Sequence, residues 1–165
     1  MESIESHGLM ALYIKRPNDF EEAIQFIEES KTRYNLNVIT ICHADLKVAL
    51  QEFKNTLHGS RVLYMFMGSR NTDPYSQDTV VKMTDKGWPE FLRVCPLLHW
   101  TYSDVWRCIL ALNLPYCSLY DRGYASLGTK DNSRPNPKLK KADGDGFLPA
   151  WTLEDASDER LHRDS

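Results

Sequence analysis

Apolar and polar positions along the first part of the chain switch repeatedly between a strand period and a helix period. Residues 9–14 are a short apolar run, broken by Pro17, Asn18 and Asp19. From 20 to 34 the positions Phe20, Ala23, Ile24, Ile27 and Tyr34 share one helical face, with Glu21 and Glu22 in the first turn and Lys31 and Arg33 in the last. Asp19 is the expected cap of that helix, and Glu22 its capping-box partner. Residues 36–41 are β-branched and read as a second strand. Residues 45–57 put Leu46, Ala49, Leu50, Phe53 and Leu57 on one stripe of a second helix. Residues 62–67 are apolar throughout, as for a strand buried on both faces of a parallel sheet. Strands alternating with helices predict a right-handed, mainly parallel α/β layer.

The pattern changes after residue 67. Residues 68–88 are long and polar for a connection, and such loops in compact domains are usually functional. A short strand is expected at 91–94, and Thr101 caps a helix at 102–112 with Asp104 as reciprocal partner and Val105, Trp106, Ile109 and Leu112 buried. Beyond Pro115 the chain is loop-rich, with a turn at 118–122 stopped by Gly123. One domain over 1–165 is expected, with an α/β core at 9–122 and a C-terminal arm at 123–165.

Composition narrows the class. With 165 residues, 42% hydrophobic and 26% charged, the chain suits one folded domain and excludes a disordered one. A net charge of −3 removes the broad basic surface of a sequence-tolerant nucleic-acid binder. No apolar run approaches the roughly 20 residues that span a bilayer. The acidic first residues lack the blocks of a signal peptide, so a soluble, cytoplasmic protein that binds neither nucleic acid nor membrane is expected. Cys42, Cys95, Cys108 and Cys117 form no C-x-x-C pair and read as small buried hydrophobes. His7, His43, His58, His99 and His162 show no metal-ligand spacing, so no transition-metal site is expected.

Three segments can carry chemistry. The segment from Gly68 to Tyr75 leaves the carboxyl end of the third strand, where open parallel sheets bind ligands. There Gly68 permits close backbone approach, Arg70 offers a planar cationic fork and Asp73 a carboxylate. A turn in which Asp73 caps its own backbone before Pro74 explains the same residues equally well. Asp85 and Trp88 set an acceptor beside a large aromatic face that suits a flat heteroaromatic ligand, although a core-plugging Trp88 is the first reading. Arg160 and Arg163 read first as a solvated helix end, with a phosphate clamp as the alternative, and the basic residues between Lys130 and Lys141 share that ambiguity. No glycine-rich loop runs from a strand into a helix, so no phosphate cradle is visible.

Taken in order, the segments 68–75 (GSRNTDPY), 87–91 (GWPEF), 96–102 (PLLHWTY), 114–117 (LPYC), 119–124 (LYDRGY), 126–128 (SLG) and 136–137 (NP) resemble the eukaryotic FAD synthase family. These are the FMN adenylyltransferases of the PAPS reductase-like, PP-loop superfamily. The resemblance runs from about Ala11 to the C-terminus. It implies a doubly wound, Rossmann-like α/β fold with a mainly parallel sheet, and the reaction ATP + FMN → FAD + pyrophosphate with Mg²⁺ carried on the nucleotide phosphates. It also implies that Asp73 serves catalysis, that Arg160 and Arg163 contact substrate phosphates, that Gly68 and Arg70 face the adenine nucleotide, and that Asp85 and Trp88 border the flavin. No residue of the chain is expected to ligate a metal itself.

Members of the family begin with a strand, a Gly-Gly-Lys-Asp type phosphate loop and a helix. Ten residues precede Ala11 here and none carries that motif. The expectation is an N-terminally incomplete domain of weak or no activity alone, with an exposed, association-prone edge or face. A non-catalytic flavin-binding module is the alternative. A sulfonucleotide reductase is disfavoured because Cys117, the last cysteine, is far from the C-terminal end.

Overall fold

In the computed structural model of the protein, which describes residues 9–57, 63–74 and 76–163, β1 (Met10–Lys15) and β2 (Asn37–Cys42) pair in parallel with α1 (Glu21–Arg33) between them in sequence. Met10 lies opposite Asn37 and Lys15 opposite Cys42. The chain divides into two compact units. The first holds the residues up to Ala49 and those from Tyr116 onward; the second is Leu50–Pro115.

In the first unit α1 starts one residue later than the sequence suggests. Its N-cap position is Phe20, which has no side-chain cap. Asp19 is instead buried, and its Oδ2 accepts from the Tyr13 hydroxyl at 2.7 Å and the Arg16 N–H at 2.9 Å. The carboxylate ties the end of β1 to the start of α1, a tertiary use that local capping patterns do not reveal. At the other end Asn35 takes the left-handed conformation (φ 48°) and the Leu36 N–H returns to the Lys31 carbonyl at 2.9 Å, a closed C-terminal turn.

The chain after Tyr116 forms short 3-10 turns at Ser118–Arg122, Pro137–Leu139, Ala150–Thr152 and Ala156–Asp158, the first of which packs on α1. Phe20, Cys117 and Leu119 form the buried centre, and Tyr124 meets Phe20 edge-on at 5.4 Å. Ion pairs surround it: Arg122 with Glu22, and Lys130 with Glu21 at 2.5 Å. These hold both glutamate carboxyls below their usual range, mainly through hydrogen bonds from the two cations. Lys138 lies 3.8 Å from Asp158. The charged stretch that begins at Arg122 is therefore partly the arm's means of attachment rather than only a solvated face.

In the second unit β3 (Tyr64–Phe66) runs parallel to β5 (Leu92–Val94), and β4 (Val81–Met83) runs antiparallel to it, in the order β3-β5-β4. The α/β class with mainly parallel pairing matches the sequence reading. β4 lies within the segment expected to be all loop; three residues are too few to show a period. Val62, assigned to the third strand, lies outside the described residues. Phe53 of α2 (Leu46–Thr56) stacks on Phe91 at 6.2 Å, and Phe91 and Cys95 are each 1% exposed. Burial of β3 on both faces does not occur among the described residues: Tyr64 is 67% and Phe66 68% exposed. α3 (Tyr102–Ala111) starts with the expected Thr101–Asp104 capping box, and those hydrogen bonds lower the Asp104 carboxyl.

Candidate functional site

Gly68, Arg70 and Asp73 follow β3 at its carboxyl end, beyond the Met67 N–H bonded to the Val94 carbonyl at 2.9 Å. The Asn71 N–H donates to the Leu98 carbonyl at 2.7 Å and anchors the loop. Within it, Asp73 Oδ2 accepts from the Arg70 backbone N–H at 2.8 Å and Asp73 Oδ1 from Arg70 Nη2 at 3.0 Å. Arg70 is only 7% exposed. The turn reading of Asp73 holds, since its side chain closes its own turn, and the same carboxylate is fixed by a buried guanidinium. Gly68 has negative or extended φ and no atom within 4 Å of a built Cβ, so nothing in the fold itself demands glycine there.

Asp85 and Trp88 lie on the connection between β4 and β5. Asp85 Oδ2 is 3.6 Å from Arg93 Nη2, and the Trp88 N–H donates to the Asp85 carbonyl at 3.0 Å. Trp88 is 40% exposed and does not plug the core; buried Pro89 and Phe91 take that place. Sequence reading missed Arg93, whose Nε is buried without a hydrogen-bond partner beside this pair. A cation between apolar neighbours in the short strand expected at 91–94 was the available signal.

Arg160 and Arg163 are in the first unit, on the turn after Ala156–Asp158, with the Arg163 N–H on the Arg160 carbonyl at 3.1 Å. Both side chains are half-buried and neither lies on an α-helix, so the solvated helix end is replaced by a packed turn. Arg163 Nη1 donates to Ser126 Oγ at 3.0 Å. The structure thus brings Arg70 to Asp73, Asp85 to Trp88, and Arg160 to Arg163.

Among the described residues no three His, Cys, Asp or Glu side chains converge as a metal cage. No helix among them is long and apolar enough to cross a membrane. The thiols of buried Cys95 and Cys117 are pushed up by desolvation, and all four cysteines are unbridged, Cys42 being exposed. An apolar cleft of about 220 Å³ between α1 and the β1–β2 pair, lined by Leu12, Phe26, Leu36 and Val38 among others, touches none of the candidate residues.

Residues 3–135 match the phosphoadenosine phosphosulfate reductase domain family. A probable FAD synthase of Caenorhabditis elegans is 40% identical over 163 residues, 96% of this chain but 31% of that protein. The chain therefore spans less than a third of that relative's length. The crystal structure of yeast FAD synthetase in complex with FAD superimposes with a TM-score of 0.88 at 25% identity, over 99% of this chain and 70% of that one. Candida glabrata FMN adenylyltransferase, in complex with FMN and the ATP analog AMPCPP, superimposes with a TM-score of 0.84 at 27% identity, over 93% of this chain and 67% of that one.

Proposed function

The chain belongs to the phosphoadenosine phosphosulfate reductase domain family and is similar to an FAD synthase over nearly its whole length, and on that premise we propose that it takes part in FMN adenylyl transfer, ATP + FMN → FAD + pyrophosphate. The observation that carries the reading is the Asp73 carboxylate, fixed by buried Arg70 in the loop at the carboxyl end of β3, where sheets of this kind bind ligands.

The chemistry asks little of a base. An FMN phosphate is already anionic near neutral pH, its second pKa being about 6. One of its oxygens attacks the α-phosphorus of ATP as the bond to the pyrophosphate oxygen breaks, and catalysis is positioning and charge stabilisation. Asp73 is then an orienting acceptor rather than a proton abstractor, and Arg70 the group that aims it. The backbone near Gly68, open above its Cα, leaves room for the adenine nucleotide. Asp85 and Trp88 border the flavin ring. Arg160 and Arg163 contact substrate phosphates as planar forks. With no described cage of three acidic or His and Cys side chains, the residues fit a Mg²⁺ that is held mainly by phosphate oxygens and water. Bound there, the ion would offset phosphate charge. Four unbridged cysteines suit a reducing, cytoplasmic setting.

Incubating the purified chain with ATP, FMN and Mg²⁺ and resolving the flavins by chromatography tests the reading. FAD appearing with equimolar pyrophosphate supports it. Flavin binding without any FAD supports instead a non-catalytic flavin module.

A further inference from the structure

Residues 126–136 close on residues 158–163 at several points within the first unit. Asn136, 2% exposed, donates Nδ2 to the Asp158 carbonyl at 2.7 Å. Ser133, 1% exposed, faces Arg163 in an antiparallel bridge, and the Arg134 N–H donates to the His162 carbonyl at 3.3 Å. The loop is in turn braced internally. Ser133 Oγ accepts from the Gly128 N–H at 2.8 Å, and Asn132 Oδ1 accepts from the Thr129 N–H at 2.8 Å. A Cβ on Gly128 would stand 2.3 Å from Asn132 Oδ1 and 3.1 Å from Arg163 Nε, so the guanidinium and the asparagine lie against bare backbone there. From the same loop Ser126 Oγ accepts from Arg163 Nη1 at 3.0 Å.

We infer that Ser126, with Gly128 clearing the space, is a positioning residue that aims the Arg163 guanidinium at a substrate phosphate. The inference rests on the reading of Arg163 as a phosphate contact. A long arginine stem has many rotamers, and binding an anion with a freely rotating fork spends affinity on ordering it. Ser126 meets one of the five guanidinium donors with a neutral hydroxyl, which orders the fork without bringing a further negative charge to it. The bare backbone at Gly128 leaves the room that Arg163 Nε occupies against the loop.

Calorimetric titration of the full chain with FMN, ATP and riboflavin tests this, since riboflavin has the flavin ring and no phosphate. Arg163→Gln defines which phosphate ligand the arginine serves. Ser126→Ala is expected to weaken that same ligand by about three- to tenfold, the worth of one hydrogen bond, and to leave riboflavin unchanged. Ser126→Thr, which keeps the hydroxyl, is expected to restore affinity. A purely structural serine would shift riboflavin as well, or be unrescued by threonine, and either result overturns the inference. If Arg163→Gln weakens FMN or ATP while Ser126→Ala does not, positioning by Ser126 is wrong and the phosphate reading stands. If Arg163→Gln changes neither, or the unaltered chain binds neither, the phosphate reading fails and takes the inference with it.

Discussion

Asp73 and Asp19 show how much a single carboxylate's neighbours decide. Asp73 sits with both oxygens on Arg70, itself 7% exposed, so replacing it with asparagine keeps the size but leaves a buried guanidinium with a weaker partner. Asp73→Asn is expected to cost about 1–3 kcal/mol in denaturant unfolding. FAD formation, where the chain supports it, should fall about a hundredfold or more, as for loss of one preorganised polar contact. A variant with undiminished turnover would remove Asp73 from the mechanism. Asp19 acts instead on a phenol: burial first, then the hydrogen bond and charge of Asp19, push Tyr13 up from 10.0 to about 12. The neutral phenol is thus the form the fold prefers. Its stabilising contribution is complete below pH 10, where folded and unfolded phenols both hold the proton, and is lost as the pH rises toward 12. Urea midpoints at pH 9 and 11 should therefore fall further for the parent chain than for Tyr13→Phe; equal falls would sink the assignment.

Among the elements, local chemistry was readable and long-range chemistry was not. The Thr101–Asp104 box was legible because both partners lie within one turn, and the stop at Gly123 because its φ of 84° favours glycine. Asp19 misled because a carboxylate just ahead of a helix looks like a cap until Tyr13 is brought beside it. The links from the late residues to α1 and to the turn before it were invisible in periodicity: Arg122 and Glu22 are 100 residues apart, and Asn18 and Asp131 113 apart. Arg70 and Asp73 were legible as candidates one by one but not as a pair, whereas Trp88 was misread since a lone aromatic in a loop carries no period to tell inside from outside. Gly123 and Gly144 separate two costs that sequence alone merges. Gly144 has φ 81° and open space around a built Cβ, so Gly144→Ala should cost only the left-handed strain of about 1–2 kcal/mol. Gly123→Ala would add a Cβ 2.4 Å from Phe147 Cβ and should cost distinctly more. Thermal unfolding of the two variants side by side gives the ordering, and equal losses would show that Phe147 moves aside freely.

For the chain as a whole, the feature that packing leaves unsettled is the outer face of the β3-β5-β4 sheet. Opposite residues share a face, so Tyr64, Leu92 and Met83 form one row and Phe66, Val94 and Val81 the next, all of them apolar. The other face offers Met65, Arg93 and Lys82 at the same positions. Tyr64 and Phe66 are the most exposed of these rows, and Val81 and Met83 are 49% and 43% exposed. A contiguous apolar patch of this kind on a protein surface either is covered by something or promotes association. The physical reason it was expected to be buried is the same one that makes it sticky: a strand with no polar position has no solvent side to offer. Replacing Tyr64 and Phe66 together by threonine keeps strand-favouring residues in β3 while removing the aromatic rings. The double variant should bind less of an apolar dye and scatter less light as concentration rises, with little change in far-ultraviolet circular dichroism. If dye binding and scattering match those of the parent chain, the aromatic rows are not what makes this surface associate, and the two-stranded β1–β2 pair, with Leu9 68% and Met10 46% exposed at its start, becomes the surface to alter next.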